Sequence, residues 1–307
     1  METIIEAKNL SKIFEGTKAV NGISFSVKGG EIFAFLGPDG AGKTTIMRML
    51  SGLMSPSSGE LSVLGMEMPR EAEQVKERIG YMSQKFNLYP DLTVDENIFF
   101  FAGIYGIDRS ALEGRLKKLF EITRLEKFRK RFASKLSGGM KQKLALICTL
   151  IHRPEILILD EPTTGVDPVS RREFWEVLQG IVFEGVTVVL STPYLDEAEW
   201  SNRVCLMYGG QIVLCDTPQN MRGGSKSIVF DVFGAEGKGI CGLLKNIPGV
   251  TDVHLFGKRC HVIVENEGFT EGFLKALEGR AEARRVVSSI EDIFVEKIRE
   301  NPGRKNG

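Results

Sequence analysis

Ile32-Phe33-Ala34-Phe35-Leu36-Gly37-Pro38-Asp39-Gly40-Ala41-Gly42-Lys43-Thr44-Thr45 decides the fold of this 307-residue chain. Its five leading apolar residues form an unbroken run, which suits a strand buried on both faces of a parallel sheet. A glycine-rich turn follows, and Thr44 to Leu50 then opens a helix. Residues 37–44 fit G-x-x-x-x-G-K-[ST] in the strand-to-helix setting that this pattern requires. Glycines let consecutive backbone N–H groups wrap an anion without a Cβ in the way. The helix N-terminus adds the positive end of its dipole. The stretch therefore predicts a phosphate cradle built on Gly37, Pro38, Asp39, Gly40, Ala41 and Gly42. Lys43 is expected to reach the β- and γ-phosphates of a nucleotide, Thr44 to bind Mg²⁺ through its hydroxyl, and Thr45 to support as a further phosphate donor.

Working outward, residues 156–159 (ILIL) and 186–190 (VTVVL) repeat the continuous apolar run. Helical patterns over 112–122 and 169–182 lie between and beside them. Strand–helix alternation of this kind predicts an α/β fold with a parallel core sheet. The run at 156–159 passes directly into Asp160-Glu161. Ligands of open α/β sheets bind at the carboxyl ends of strands. Asp160 is placed to hold Mg²⁺, and Glu161 to orient or deprotonate an attacking water.

The flanks differ. Residues 4–14 and 23–27 predict antiparallel strands, with Lys28-Gly29-Gly30 as a hairpin signal. A break falls at Met221-Arg222-Gly223-Gly224-Ser225, and a new pattern begins. Strands are expected over 227–233, 250–256, 260–265 and 283–287, and helices over 240–247, 269–277 and 290–298. This β-α-β-β-α-β order with a closing helix predicts a small α+β ferredoxin-like domain. The division expected is 1–222, 226–300 and a disordered tail over 301–307.

Forty basic and forty acidic residues cancel, so no net charge points to nucleic acid. No stretch is long and apolar enough to span a bilayer, and METIIEAKNL lacks a signal-peptide pattern. The expected location is the cytoplasm, with any membrane association made through a partner. The five cysteines form no CxxC pair, which predicts buried free thiols.

Leu136-Ser137-Gly138-Gly139-Met140 resembles the LSGGQ signature of ATP-binding cassette (ABC) proteins, with Met140 in place of Gln. It precedes the acidic strand end by the short interval seen in that family. The resemblance covers residues 4–222. It implies an ABC cassette of the P-loop NTPase fold, with an antiparallel β subdomain and a helical subdomain. It implies ATP and Mg²⁺ as ligands, and ATP hydrolysis. Ser137, Gly138 and Gly139 would form an anion site at a helix N-terminus, and in the family that site meets ATP bound to the opposite subunit. A second nucleotide-binding domain, identical or different, is therefore an implied partner. Phe14 holds the position of the aromatic that stacks on adenine, although packing alone also explains it. Gln84 resembles the Q-loop glutamine that contacts Mg²⁺ and the attacking water. Phe86, Leu88 and Tyr89 lie beside it, where members dock an integral membrane permease; local packing is their other explanation. Asp167, in Gly165-Val166-Asp167, resembles the D-loop that crosses between subunits.

One motif departs. The family carries His after the sixth strand, and here Ser191-Thr192-Pro193-Tyr194 places Pro193 there. Proline offers neither an N–H nor a side-chain donor. Either Glu161 suffices and hydrolysis is slow, or another subunit completes the site, or ATP serves mainly for closure. Ser289-Ile290-Glu291-Asp292-Ile293-Phe294 resembles the end of ATPase subunits of ABC-2-type exporters, the drug, antibiotic and sodium efflux group. That class implies a cytoplasmic subunit peripheral on the inner face of the cell membrane. The alternative is a soluble ABC ATPase acting on ribosomes or DNA, but this chain has one cassette, no coiled-coil insertion and no basic patch.

Overall fold

A computed structural model describes residues 2–85, 88–233, 242–256 and 259–300. Two long strands begin it, β1 (Thr3–Phe14) and β2 (Thr17–Lys28), paired antiparallel. Their hairpin turns at Glu15 and Gly16, both at positive φ, as a two-residue hairpin loop demands. The Lys28-Gly29-Gly30 signal was misplaced. That segment instead carries the chain from one sheet to another, because β3 (Ile32–Leu36) is buried along its whole length and cannot pair at the edge of a half-solvated layer.

After β3 come α1 (Lys43–Leu50), β4 (Ser58–Val63), β5 (Met66–Met68), α2 (Ala72–Arg78) and β6 (Ile79–Met82). The antiparallel layer has the order β2-β1-β4-β5. Ile5 and Ala7 of β1 point into its core in the period-2 pattern of a sheet with one dry face, and Leu10 rejoins that face after a register shift.

Three helices follow, α3 (Val94–Ile104), α4 (Arg109–Thr123) and α5 (Gly138–Leu150). They pack around Ile98, Leu112, Phe120, Leu144 and Ile147 as a separate helical core. Thr93 and Glu96 close a capping box at the start of α3, which satisfies backbone donors that the first turn leaves open.

The central sheet is completed by β7 (Ile156–Asp160), β8 (Thr187–Thr192), β9 (Arg203–Tyr208) and β10 (Gln211–Asp216), with α6 (Pro168–Phe183) between β7 and β8. Its order is β10-β9-β3-β8-β7-β6. The pairs β6–β7, β7–β8, β8–β3 and β3–β9 are parallel. Thus β8 lies between the strand that feeds the glycine-rich loop and the strand that ends in Asp160. The cysteine expectation needs correcting: Cys205 on β9 and Cys215 on β10 form a disulfide. The two strands are neighbours in the sheet, a placement that spacing alone did not disclose. Cys148 is a buried free thiol.

The chain divides into two compact units between Cys215 and Asp216. This is ahead of the expected end at residue 222, because α7 (Pro218–Gly223) packs on α9 (Ile290–Glu300) of the second unit. The second unit also holds β11 (Ile228–Phe233), β12 (Val250–Phe256), β13 (Arg259–Val264), α8 (Thr270–Leu277) and β14 (Glu282–Val286). Its sheet order, β12-β13-β11-β14, is that of a ferredoxin-like fold, and every described pair is antiparallel. Phe230, Val232, Val262, Val264, Phe273 and Leu277 form its core. Of the helix expected over 240–247, residues 242–244 are helical and 240–241 lie outside the described residues, as does the expected tail at 301–307.

Candidate active site

The turn after β3 is tight because its glycines are used. Gly42 has φ 97°, and a Cβ there would collide with the carbonyl oxygen of Ala19. The loop leads into α1, whose first residue, Lys43, is 3% exposed. Lys43 Nζ donates to the carbonyl oxygens of Gly37 (2.8 Å) and Pro38 (3.0 Å). It also lies 3.5 Å from Glu161 Oε1. A buried ion pair of this kind costs about 3–5 kcal/mol to break by removing one partner, because the other charge is left uncompensated.

Parallel pairing sets Asp160 of β7 opposite Ser191 of β8. Ser191 Oγ donates to Asp160 Oδ1 at 2.6 Å, and Thr44 Oγ1 donates to the same oxygen at 3.1 Å. Asp160 is fully buried yet satisfied by hydroxyls from two other elements.

Glu161 is bent out of the strand. Its φ of 50° is left-handed, a conformation that costs about 1–3 kcal/mol for a residue with a Cβ. The bend is held by Ser191, whose carbonyl oxygen (3.1 Å) and hydroxyl (3.0 Å) both accept the Glu161 N–H. The carboxylate then receives Gln84 Nε2 at 2.9 Å and Thr164 Oγ1 at 3.3 Å on Oε2. Gln84 follows β6, the neighbour of β7, so sheet pairing brings it across.

These groups open on one cleft of about 430 Å³. Phe14, Ala19, Asp39, Gly40, Gly42, Lys43, Thr44, Thr45, Gln84 and Glu161 line it. Phe14, at the end of β1, is 42% exposed rather than packed away. Gly37, Pro38, Ala41 and Asp160 are not among the lining residues, although Asp160 is bonded to Thr44, which is. Among the described residues, no group of three or more His, Cys, Asp and Glu side chains could hold a metal ion by itself. The Thr44–Asp160 oxygen pair instead suits Mg²⁺, which takes few protein ligands and completes its shell with phosphate and water oxygens.

The ABC transporter family model matches residues 20–164. A multidrug ABC transporter ATP-binding protein of Escherichia coli, YbhF, is 44% identical over 221 residues, 72% of this chain and 38% of that protein. The chain thus spans well under half the length of that relative. The Nod factor export ATP-binding protein I of Burkholderia orbicola is 34% identical over 295 residues, 95% of each chain. The chain belongs to the ABC transporter family. Among solved structures, the dimeric bacterial ABC transporter cassette MJ0796 is 26% identical, with a TM-score of 0.62, covering 70% of this chain and 98% of that one.

The remaining ABC motifs fall away from the cleft. Ser137 caps α5, its hydroxyl accepting the Met140 N–H at 3.3 Å. Gly138 and Gly139 form the first turn, and a Cβ on Gly139 would come within 2.5 Å of Ser170 Cβ. The first turn of α5 and the start of α6 therefore pack on each other. Asp167 caps α6 by accepting the Ser170 N–H at 3.0 Å, and that bond holds its carboxyl below the usual range. None of these four residues lines the cleft of the same chain.

Pro193 directly follows β8. His152 is committed elsewhere, with Nε2 2.8 Å from the Ile79 carbonyl oxygen and its ring stacked on Tyr105. His254 and His261 belong to the second unit. Beside the Q-loop, Leu88 packs against the helical core, whereas Tyr89 is exposed and stacks edge-on against Phe100 at 4.5 Å. Phe86 lies outside the described residues. Sequence reasoning missed Ser191 and Thr164. Ser191 carried a signal, since it directly follows the apolar run 186–190, two residues before Pro193.

Proposed function

We propose that this chain binds and hydrolyses ATP to drive an ABC-2-type exporter. The observation that carries the reading is the carboxylate of Glu161, which meets Gln84, Lys43 and Thr164 at the edge of a cleft walled by the glycine-rich loop. Adenine stacks on Phe14. Phosphates take the N–H groups of residues 37–45 and the Lys43 ammonium. Thr44, Asp160 and Gln84 would hold Mg²⁺, which would supply charge neutralisation at the phosphates. Glu161 accepts the proton of, or orients, the attacking water, with Gln84 fixing its Oε2.

Ser137, Gly138, Gly139 and Asp167 act on the cleft of a second nucleotide-binding subunit, identical or not. Their distance from their own cleft and the dimeric relative MJ0796 support that arrangement. The exposed apolar edge of Tyr89, Phe100 and Ile104 suits a membrane permease. No helix among the described residues is long and apolar enough to cross a membrane, so the subunit would sit on the inner face through that permease. The exporter names borne by the relatives favour this reading over a soluble ATPase on ribosomes or DNA.

Hydrolysis is slow, because Pro193 supplies no donor to the transition state. Losing one such donor costs on the order of a hundredfold or more in rate. The test is phosphate release by the purified chain and by the chain assembled with its permease. ATP binding with slow, Glu161-dependent turnover supports the reading; failure to bind ATP sinks it.

A further inference from the structure

Glu197 is a carboxylate with 0% exposure, in the short 3₁₀ helix Leu195–Trp200 that follows Pro193. No sequence motif assigned it a role. Burial pushes its carboxyl above the usual range, against the hydrogen bonds from the Thr192 and Thr163 hydroxyls. Thr163 Oγ1 donates to Glu197 Oε1 at 2.7 Å. Arg171 of α6 lies 3.7 Å from that same oxygen and is stacked 3.9 Å over the Tyr194 ring.

Thr163 stands in the middle of a turn with chemistry at both ends. Thr164 N donates to the Glu161 carbonyl oxygen (3.2 Å), and Val166 N to the Thr163 carbonyl oxygen (3.1 Å). Glu161 is at one end, in its left-handed conformation, and Asp167 caps α6 at the other. A buried carboxylate is costly unless its partners require it, and here those partners are this turn and the helix after it. We propose that Glu197 is a positioning residue for hydrolysis: through the Thr163 hydroxyl it fixes the turn that carries Glu161 and Asp167. This rests on the hydrolysis reading above. It also ties the base to the segment just after Pro193, where a side-chain donor is missing.

The experiment is steady-state ATP turnover of the full chain, with kcat and KM measured separately, for the parent, Glu197→Leu (which removes the acceptor of the Thr163 hydroxyl), Thr163→Val and the double variant. Displacing a reacting group by a fraction of an ångström to one ångström lowers kcat by about ten- to a hundredfold, and KM for ATP stays near the parent value. Thr163→Val, which keeps Glu197, shows the same fall even if Glu197→Leu does not fold. The double variant loses no more than either single, since both act on one contact. Losses that multiply in the double variant, or parental kcat in Thr163→Val, overturn the proposal. A parent that binds ATP without turning it over overturns the hydrolysis reading and this one with it. A parent that turns over, matched by a folded Glu197→Leu, overturns this one alone.

Discussion

Gln84 Nε2 donates a 2.9 Å hydrogen bond to Glu161 Oε2 across 77 residues of sequence. The amide thereby fixes one oxygen of the carboxylate, and Lys43 faces the other at 3.5 Å. Glu161→Gln keeps the shape of this contact and removes the charge. Turnover is expected to fall by about a hundredfold or more, as for loss of a general base, with ATP still bound. Phosphate release and equilibrium nucleotide binding on the same preparation check both halves.

Lys43→Ala acts on binding instead. It deletes the ammonium from the loop and leaves Glu161 buried beside no cation. Nucleotide affinity should fall at least about tenfold, since a hydrogen bond to a charged group contributes about 1.5–3 kcal/mol. The thermal midpoint without nucleotide should fall as well. Titration calorimetry and a melting curve separate the two effects.

Pro193→His restores a donor at the end of β8. The expected gain in kcat is about ten- to a hundredfold, the inverse of losing one transition-state donor. A variant that folds and turns over no faster than the parent would show that the missing histidine is not what limits the rate.

The exposed end of α3 offers a test of the proposed permease contact. Ile104 is 64% exposed on the same edge as Tyr89 and Phe100. Ile104→Glu should weaken co-purification with the permease by about tenfold or more if this is an interface centre, while ATP binding by the isolated chain is unchanged.

The second unit should respond to pH through His261. Its imidazole lies between Asp292 (3.0 Å) and Asp231 (2.9 Å), and Arg259 also pairs with Asp231. Hydrogen bonding to Asp292 and then to Asp231 raises its pKa from 6.5 to about 9, against burial. The folded value exceeds the unfolded one, so the stabilisation is complete below pH 6.5 and is lost as pH rises through 9. Amide exchange at β11 and β13, corrected for its intrinsic pH dependence, should speed up over that window. His261→Gln should remove the slope.

Local patterns carried much of this. The apolar runs at 32–36, 156–159 and 186–190 became β3, β7 and most of β8 because a buried strand needs only a short continuous run. The hairpin went astray because Lys28-Gly29-Gly30 and Glu15-Gly16 are both acceptable turns. Which of them closes a hairpin depends on the sheet that the next strand joins. Cys205 and Cys215 were read as free because pairing depends on the placement of neighbouring strands.

By itself the sequence determined the glycine-rich turn between β3 and α1, since such a turn between a strand and a helix is local geometry written in consecutive residues. It likewise determined that position 193 offers no donor. Only the tertiary structure decided that Glu161 bends out of β7 onto Gln84 and Lys43, that Ser191 serves both Asp160 and Glu161, and that Glu197 reaches Thr163. Those contacts follow from parallel pairing and from side chains meeting across loops. Distance along the chain does not encode either one.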